Sequence, residues 1–516
     1  MTRSHKAKAL AVLGTGSDVG KSVIVAGLCR LLHHAGVRVA PFKAQNMSLN
    51  SYVTPDGGEI GRAQALQAEA CGLLPHVDMN PILLKPESDH CAQVMVHGKV
   101  FARLDASSYF DGRRQLAPAI QESYERLAGE YDVVVIEGAG SAAEVNLRDR
   151  DLVNWPIVEQ ADAQVMLVAD IDRGGVFAQV IGTLDLLSRE EHARVRGVII
   201  NRFRGDASLF ADGVAFLERR TGIPVLGVLP FLRDLALDQE DGLDFHAHQF
   251  IEFTGDHVNI AVVLLPHMSN VTDFKPLIHE PDVKLRYVSS PQQLVGADVV
   301  MIPGSKNTQA DLSYVREKRF VPMFDAHMQG AGELIGICGG YQMLGRRIDD
   351  PYGVEGGGTT AGLGYLKVDT HLLPHKLTTR VEAHPMGWSD GDCVMIRGYQ
   401  IHMGSTSRLD ERPCFRLLPQ PGRGIEILQN DRKADDDYDG AVRHDGLVWG
   451  TYIHGLFDQP GFRRIWLNRV RMRKGLSPLP IQASNDVTSQ LAGELDRWAG
   501  HIKAHLDLTL LLNSLQ

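Results

Sequence analysis

A strand, a glycine-rich turn and a helix follow one another at residues 9–32, and little else in the chain confines its folding so tightly. Residues 9–13 are a short apolar run, Gly14-Thr15-Gly16-Ser17-Asp18-Val19-Gly20-Lys21-Ser22 is the turn, and residues 23–32 carry helical apolar spacing. In this order the N–H groups of the turn and of the helix start converge where they can cradle phosphate oxygens. Lys21 is placed to neutralise β/γ charge and the Ser22 hydroxyl to ligate Mg²⁺, so ATP binding is expected at Gly14, Thr15, Gly20, Lys21 and Ser22. The general motif has glycine where Thr15 stands; here the glycine comes one residue earlier.

Further β-branched runs at 37–40, 133–136, 165–169 and 198–200 alternate with amphipathic stretches, the pattern of a parallel α/β sheet. The run at 133–136 delivers Glu137 into Gly138-Ala139-Gly140-Ser141, where a carboxylate can hold Mg²⁺ opposite Ser22. Polar, aperiodic text at 236–257 reads as a linker, and a second α/β series follows with strands expected at 260–265, 299–302, 334–337 and 447–453. The expected division is therefore a first domain at 1–235, a linker at 236–257, a second domain at 258–480 and a helical tail at 481–516 whose apolar spacing marks a packing helix.

In the second series, Gly336-Ile337-Cys338-Gly339-Gly340 sets a cysteine between a buried strand and a helix. Flanking glycines permit the tight turn that lifts a sulfur out of a sheet, and the helix start favours its thiolate. Leu447 to Gly455 provides a base, His454, at a strand end. The N–H of Gly339 and one from the turn at Gly304 are the expected oxyanion donors. A carboxylate cannot expel oxide, whereas an acyl phosphate expels phosphate readily, so a nucleotide site and an ammonia-releasing site in one chain make amide synthesis a coherent reaction.

Composition limits the alternatives. At 516 residues, 44% apolar and 22% charged, the chain has room for two cores and no apolar run long enough to span a bilayer. A net charge of −10 without a long basic block gives nucleic acid little to attract it. Six cysteines without a Cys-x-x-Cys pair, and no export signal, point to a cytoplasmic protein, the five other than Cys338 acting as small core residues.

The loop written Gly-Thr-x-x-x-Val-Gly-Lys-Ser resembles the dethiobiotin synthetase-like branch of P-loop enzymes, and the cysteine half resembles class I, or triad, glutamine amidotransferases. Those likenesses imply two doubly wound α/β domains, a P-loop sheet followed by a flavodoxin-like amidotransferase domain. More specific are Lys43-Ala44-Gln45-Asn46-Met47-Ser48-Leu49-Asn50-Ser51, Asp56 through Ala68, Ala169-Asp170-Ile171-Asp172-Arg173-Gly174-Gly175, Asn201-Arg202-Phe203-Arg204-Gly205-Asp206 and Tyr399-Gln400-Ile401-His402-Met403-Gly404. Over residues 8–475 the chain resembles the cobyric acid synthase family.

That resemblance implies a corrinoid substrate, adenosylcobyrinic acid a,c-diamide, amidated at its b, d, e and g carboxylates with one ATP and one glutamine each. It implies that Asn201 contacts adenine and that Lys43, Asp170 and Arg173 line the phosphate and substrate side. Two positions depart from the family pattern. Leu456 stands where a triad glutamate is usual, leaving the orienting acid to be found elsewhere, with Asp458 nearby in sequence. Gln400 stands where the motif usually has glutamate, leaving His402 without an assigned role. Other readings of the same residues are a related ligase of the cobyrinic acid a,c-diamide synthase type and a partition-type P-loop switch with an inactive second domain.

Overall fold

The computed structural model describes residues 7–88, 91–105, 113–232, 235–237, 248–387, 394–419, 437–481 and 487–509. Cys393 and residues 238–247 of the expected linker lie outside them. The chain forms two compact units, one from residues 1–241 and 491–516 and the other from 242–490.

The first unit is built on six parallel strands in the spatial order Val225–Pro230, Val195–Phe203, Gln164–Asp170, Lys8–Gly14, Val133–Glu137, Val39–Phe42. Both faces are covered, as parallel sheets require: Ala9, Ala11 and Leu13 enter one apolar cluster while Leu10 and Val12 enter the other. The central strand therefore ends between Glu137 and Asp170, and its turn opens where the strand order reverses. The strand expected at 37–40 begins instead at Val39. Residues 36 and 37 are consumed in closing the preceding helix, Gly36 N bonding to His33 O at 2.9 Å and Val37 N to Leu32 O at 3.0 Å. A smaller sheet, Gln45–Met47, Ile82–Ser88, Cys91–Val96 and Lys99–Asp105, is inserted between the second and third strands of the chain's main sheet.

The tail helix, Val487–His505, completes this same unit from Leu491 onward. Leu495, Trp498 and Ile502 join the cluster under the phosphate-loop helix Lys21–His34, and Trp498 Nε1 donates to Val23 O at 2.6 Å. Gly27 makes the approach possible, since a Cβ there would lie 2.3 Å from Ile502 and 2.8 Å from Trp498. Trp498→Ala is expected to lower the stability of this unit by about 3–5 kcal/mol, read as a shift in its urea unfolding midpoint.

In the second unit five parallel strands run in the order Val283–Val288, Val258–Val263, Val299–Ile302, Glu333–Ile337, Val448–Thr451, with Ala441–Val442 antiparallel at the edge. A second sheet contains the long hairpin Val368–Pro385 with Ile396–Arg408. The strand expected at 447–453 is divided: Val448–Thr451 belongs to the parallel sheet and Ile453–His454 to the second sheet, beside Tyr399 and Gln400. The run at 447–453 carries no charged residue and both pieces are buried, and that uniformity conceals the change of sheet. Of the cysteines other than Cys338, Cys29, Cys71 and Cys414 are buried and Cys91 is partly so. Among the described residues, no helix is long and apolar enough to cross a membrane.

Candidate functional site

In the first unit the glycine-rich turn follows its strand directly into the helix Lys21–His34. Gly20 has φ +97°, and a Cβ there would meet Asn201 Nδ2 at 2.3 Å, so both the backbone and the space demand glycine. Lys21 Nζ donates to Gly16 O and to Gly140 O, each at 2.9 Å, tying the two glycine-rich turns together.

Glu137 is fully buried and both its oxygens are engaged. Oε1 accepts from Ser22 Oγ at 2.7 Å and Lys43 Nζ at 2.9 Å; Oε2 accepts from Gln67 Nε2 at 2.5 Å and Gln64 Nε2 at 3.3 Å. Burial pushes the carboxyl up, but the adjacent Lys43 ammonium and these donors hold it below the usual carboxylate range. Gln64 and Gln67 lie in the stretch Asp56–Ala68 that carries the family resemblance but have no role assigned from sequence, and the structure brings both to the acid.

The remaining residues expected on this side divide. Lys43 faces Glu137. Asn201 donates to Val19 O at 2.8 Å and so braces the phosphate turn. Asp170 is buried, accepting from Asp172 N at 2.7 Å and from Arg202 at 3.0 Å. Arg173 is exposed, 3.5 Å from Asp18. Among the described residues, no group of three or more His, Cys, Asp or Glu could hold a metal by itself.

In the second unit Cys338 caps the helix Gly339–Leu344 with φ 52° and ψ −109°, left-handed backbone that a non-glycine residue adopts at a cost. The elbow is tight: a Cβ at Gly336 would lie 2.5 Å from the carbonyl of Gly340, and one at Gly340 would lie 2.0 Å from Ile302 O. Cys338 N donates to Thr451 O at 2.8 Å, and the thiol lies 3.4 Å from Ile401 O.

His454 is completely buried, and its Nε2 lies 3.3 Å from Asn270 Nδ2. Its Nδ1 lies 2.7 Å from Asp273 Oδ2, while Asp273 Oδ1 accepts from Gly455 N at 2.9 Å. Burial alone would lower the imidazole, but the Asp273 carboxylate and then Cys338 push it up to about 10. Asp273 comes from the turn Val271–Phe274, entered through Asn270 at φ 52°. No sequence motif marked it. Leu456, at the position of the usual acid, is buried in the apolar core, and Asp458 sits beside Gly455.

Gly304 lies next to the base: a Cβ there would be 3.4 Å from His454 Cε1. Gly339 abuts the same turn, where a Cβ would be 2.9 Å from Ser305 N. His402 stacks on Tyr452, ring centroids 3.7 Å apart, and its Nδ1 bonds to Gly404 O at 3.0 Å; burial holds it well below the ordinary histidine value, hence neutral. Glu355 joins from another loop, accepting from Thr308 Oγ1 at 3.2 Å and Gln309 N at 3.1 Å, its carboxyl pushed up to about 7 by burial.

Comparison with known proteins accounts for both units. Residues 8–239 match the AAA domain model, and residues 259–462 match the CobB/CobQ-like glutamine amidotransferase domain model. A cobyric acid synthase of Klebsiella pneumoniae (strain 342) is 49% identical over 504 residues, covering 96% of each chain. Those of Citrobacter koseri (strain ATCC BAA-895 / CDC 4225-83 / SGSC4696) and Syntrophobacter fumaroxidans (strain DSM 10017 / MPOB) are 48% identical over 517 residues (99% of this chain, 98% of the relative) and 45% identical over 511 (98% of each). With a P-loop unit, a thiol–imidazole–carboxylate unit and full-length likeness to these enzymes, the chain belongs to the cobyric acid synthase family of glutamine-dependent amidating ligases.

Proposed function

We propose that the chain amidates the b, d, e and g carboxylates of adenosylcobyrinic acid a,c-diamide, in the cytoplasm, spending one ATP and one glutamine at each. The observation that carries the nitrogen half is the buried Asp273–His454 pair beside the strained Cys338. The Cys338 thiolate attacks the side-chain carbonyl carbon of glutamine, N–H groups of Gly339 and of the Gly304 turn receive the oxyanion, and His454 protonates the departing ammonia. Water, deprotonated by His454, then releases glutamate from the thioester. Glu355, with its carboxyl pushed up to about 7 by burial, ionises when an ammonium such as the α-ammonium of glutamine lies beside it.

In the other half, a carboxylate oxygen of the corrinoid attacks the γ-phosphorus, ADP leaves, and ammonia displaces phosphate from the acyl phosphate. Lys21 and the turn Gly14, Thr15 and Gly20 hold the phosphates, Asn201 lies on the adenine side, and Lys43, Asp170 and Arg173 serve the substrate side. Ser22 and Glu137 offer the hard oxygen donors that Mg²⁺ takes, and the ion would neutralise β/γ-phosphate charge when bound. The functional division places synthesis in residues 1–235 and glutamine cleavage in 258–480.

Incubating the protein with the a,c-diamide, ATP, Mg²⁺ and glutamine tests the reading by mass spectrometry. Four successive exchanges of hydroxyl for amino are expected, and an unchanged corrinoid would refute it. Lys21→Ala is expected to weaken MgATP binding by about 10- to 100-fold, measured by titration calorimetry, with glutamine hydrolysis free of nucleotide left intact.

A further inference from the structure

The chain changes sheets between Thr451 and Ile453, immediately before the base, and one buried carboxylate spans the change. Asp439 accepts from Gln400 Nε2 at 2.7 Å, from the Thr451 hydroxyl, and from Tyr452 N at 3.3 Å. Each donor reaches a different part of the thiol site. Thr451 O receives the N–H of Cys338, and Thr451 Oγ1 also accepts from Ile453 N at 3.0 Å. Gln400 stands opposite Ile453, and its neighbour Tyr399 opposite His454, across the second sheet. Tyr399 also stacks on the His454 ring, with centroids 5.4 Å apart.

We propose that Asp439, paired with Gln400, is a positioning residue for glutamine cleavage: it pins the passage between the two sheets and so sets His454 against Cys338. This rests on the Cys338–His454 reading above. A lone buried carboxylate is costly unless its oxygens are satisfied, and here three donors from the two strands satisfy them. Burial still pushes its carboxyl above the ordinary value. The pair also accounts for the amide at position 400. A glutamate there would put two buried carboxylates face to face, which must share a proton or separate, and separation would move the strand that carries the base.

A double-mutant cycle tests the proposal. Gln400→Glu and Asp439→Ala are each expected to lower kcat for glutamine hydrolysis by about 10- to 100-fold with KM changed less than about threefold. Combining Gln400→Glu with Asp439→Asn restores a donor facing an acceptor, and is expected to recover at least about tenfold of the Gln400→Glu loss. Thr451→Val, which removes one hydroxyl and keeps the volume, covers the case in which a buried charge prevents folding. It is expected to lower kcat about tenfold at unchanged KM, with the melting temperature lowered by about a few degrees because Asp439 and Ile453 N each lose a partner. No recovery in the double variant, or full kcat in Thr451→Val, overturns the proposal. A Cys338→Ala protein that still hydrolyses glutamine would instead overturn the reading beneath it.

Discussion

Cys338→Ala is expected to reduce glutamine-supported amidation by at least about 10⁴-fold, while amidation supported by added ammonium proceeds at the native rate. The magnitude follows from the chemistry: without a nucleophile there is no thioester, and removing the nucleophile of a covalent catalyst costs on the order of 10⁴ to 10⁶ in kcat. The contrast between the two nitrogen donors follows from the proposed division of labour, which assigns acyl phosphate formation to Lys21, Ser22 and Glu137 of the other unit. Alanine suits the test. Position 338 already holds a non-glycine residue at φ 52°, so a methyl group adds no backbone strain, and the deleted sulfur is one atom in a tightly packed elbow. The measurement is corrinoid amide formed per minute at saturating ATP with each donor in turn. Equal loss with both donors would mean that the cysteine supports the fold.

How far the sequence discloses this site depends on whether each part is local. The phosphate turn and the cysteine elbow are local: their glycines, the flanking apolar runs and the reactive side chain lie within about a dozen residues, and backbone geometry dictates the residue types. His454 is semi-local, marked by its place at the end of an apolar run. Asp273 is not local at all. It lies far upstream of the imidazole it orients, and its short polar turn resembles any strand-to-helix connection; the one usable trace was an asparagine, Asn270, entering a turn directly after a buried strand. Gln64 and Gln67 were hidden for a related reason, since on a helix of alanines and glutamines nothing identifies the face that meets a carboxylate. The tail helix was legible as a helix from its apolar spacing. Which unit it packs on was not, because packing partners are chosen by shape: Gly27 opens a space that Ile502 and Trp498 fill. The break at Tyr452 leaves no mark in the sequence because both sides of it are buried and without charged residues.

Asp273→Asn is expected to lower glutamine hydrolysis by about 10³- to 10⁴-fold, the scale seen when the acid of a triad is replaced by its amide. The amide keeps the shape, and its oxygen can still accept from Gly455 N. What changes is the group facing Nδ1: an N–H there favours the tautomer with its proton on Nε2, which cannot take one from the thiol. The variant should also move the pH profile. In the native protein the imidazole is pushed up to about 10, so its charged form persists across neutral pH and the limb that depends on it falls as pH rises through about 10. The associated stability has the same sign: it is fully present below the ordinary histidine value near ~6.5 and is lost as pH rises through about 10. Without the carboxylate, burial is opposed by Cys338 alone, and the limb moves down toward the ordinary value. The rate of glutamate release between pH 5 and 11 reads both effects, and a variant within about threefold of native at pH 7 would remove Asp273 from the catalytic group. The geometry also explains the leucine at 456. With the orienting acid supplied by Asp273, a second carboxylate at 456 would lie in the apolar core that buries Leu456, so an apolar side chain occupies that place instead.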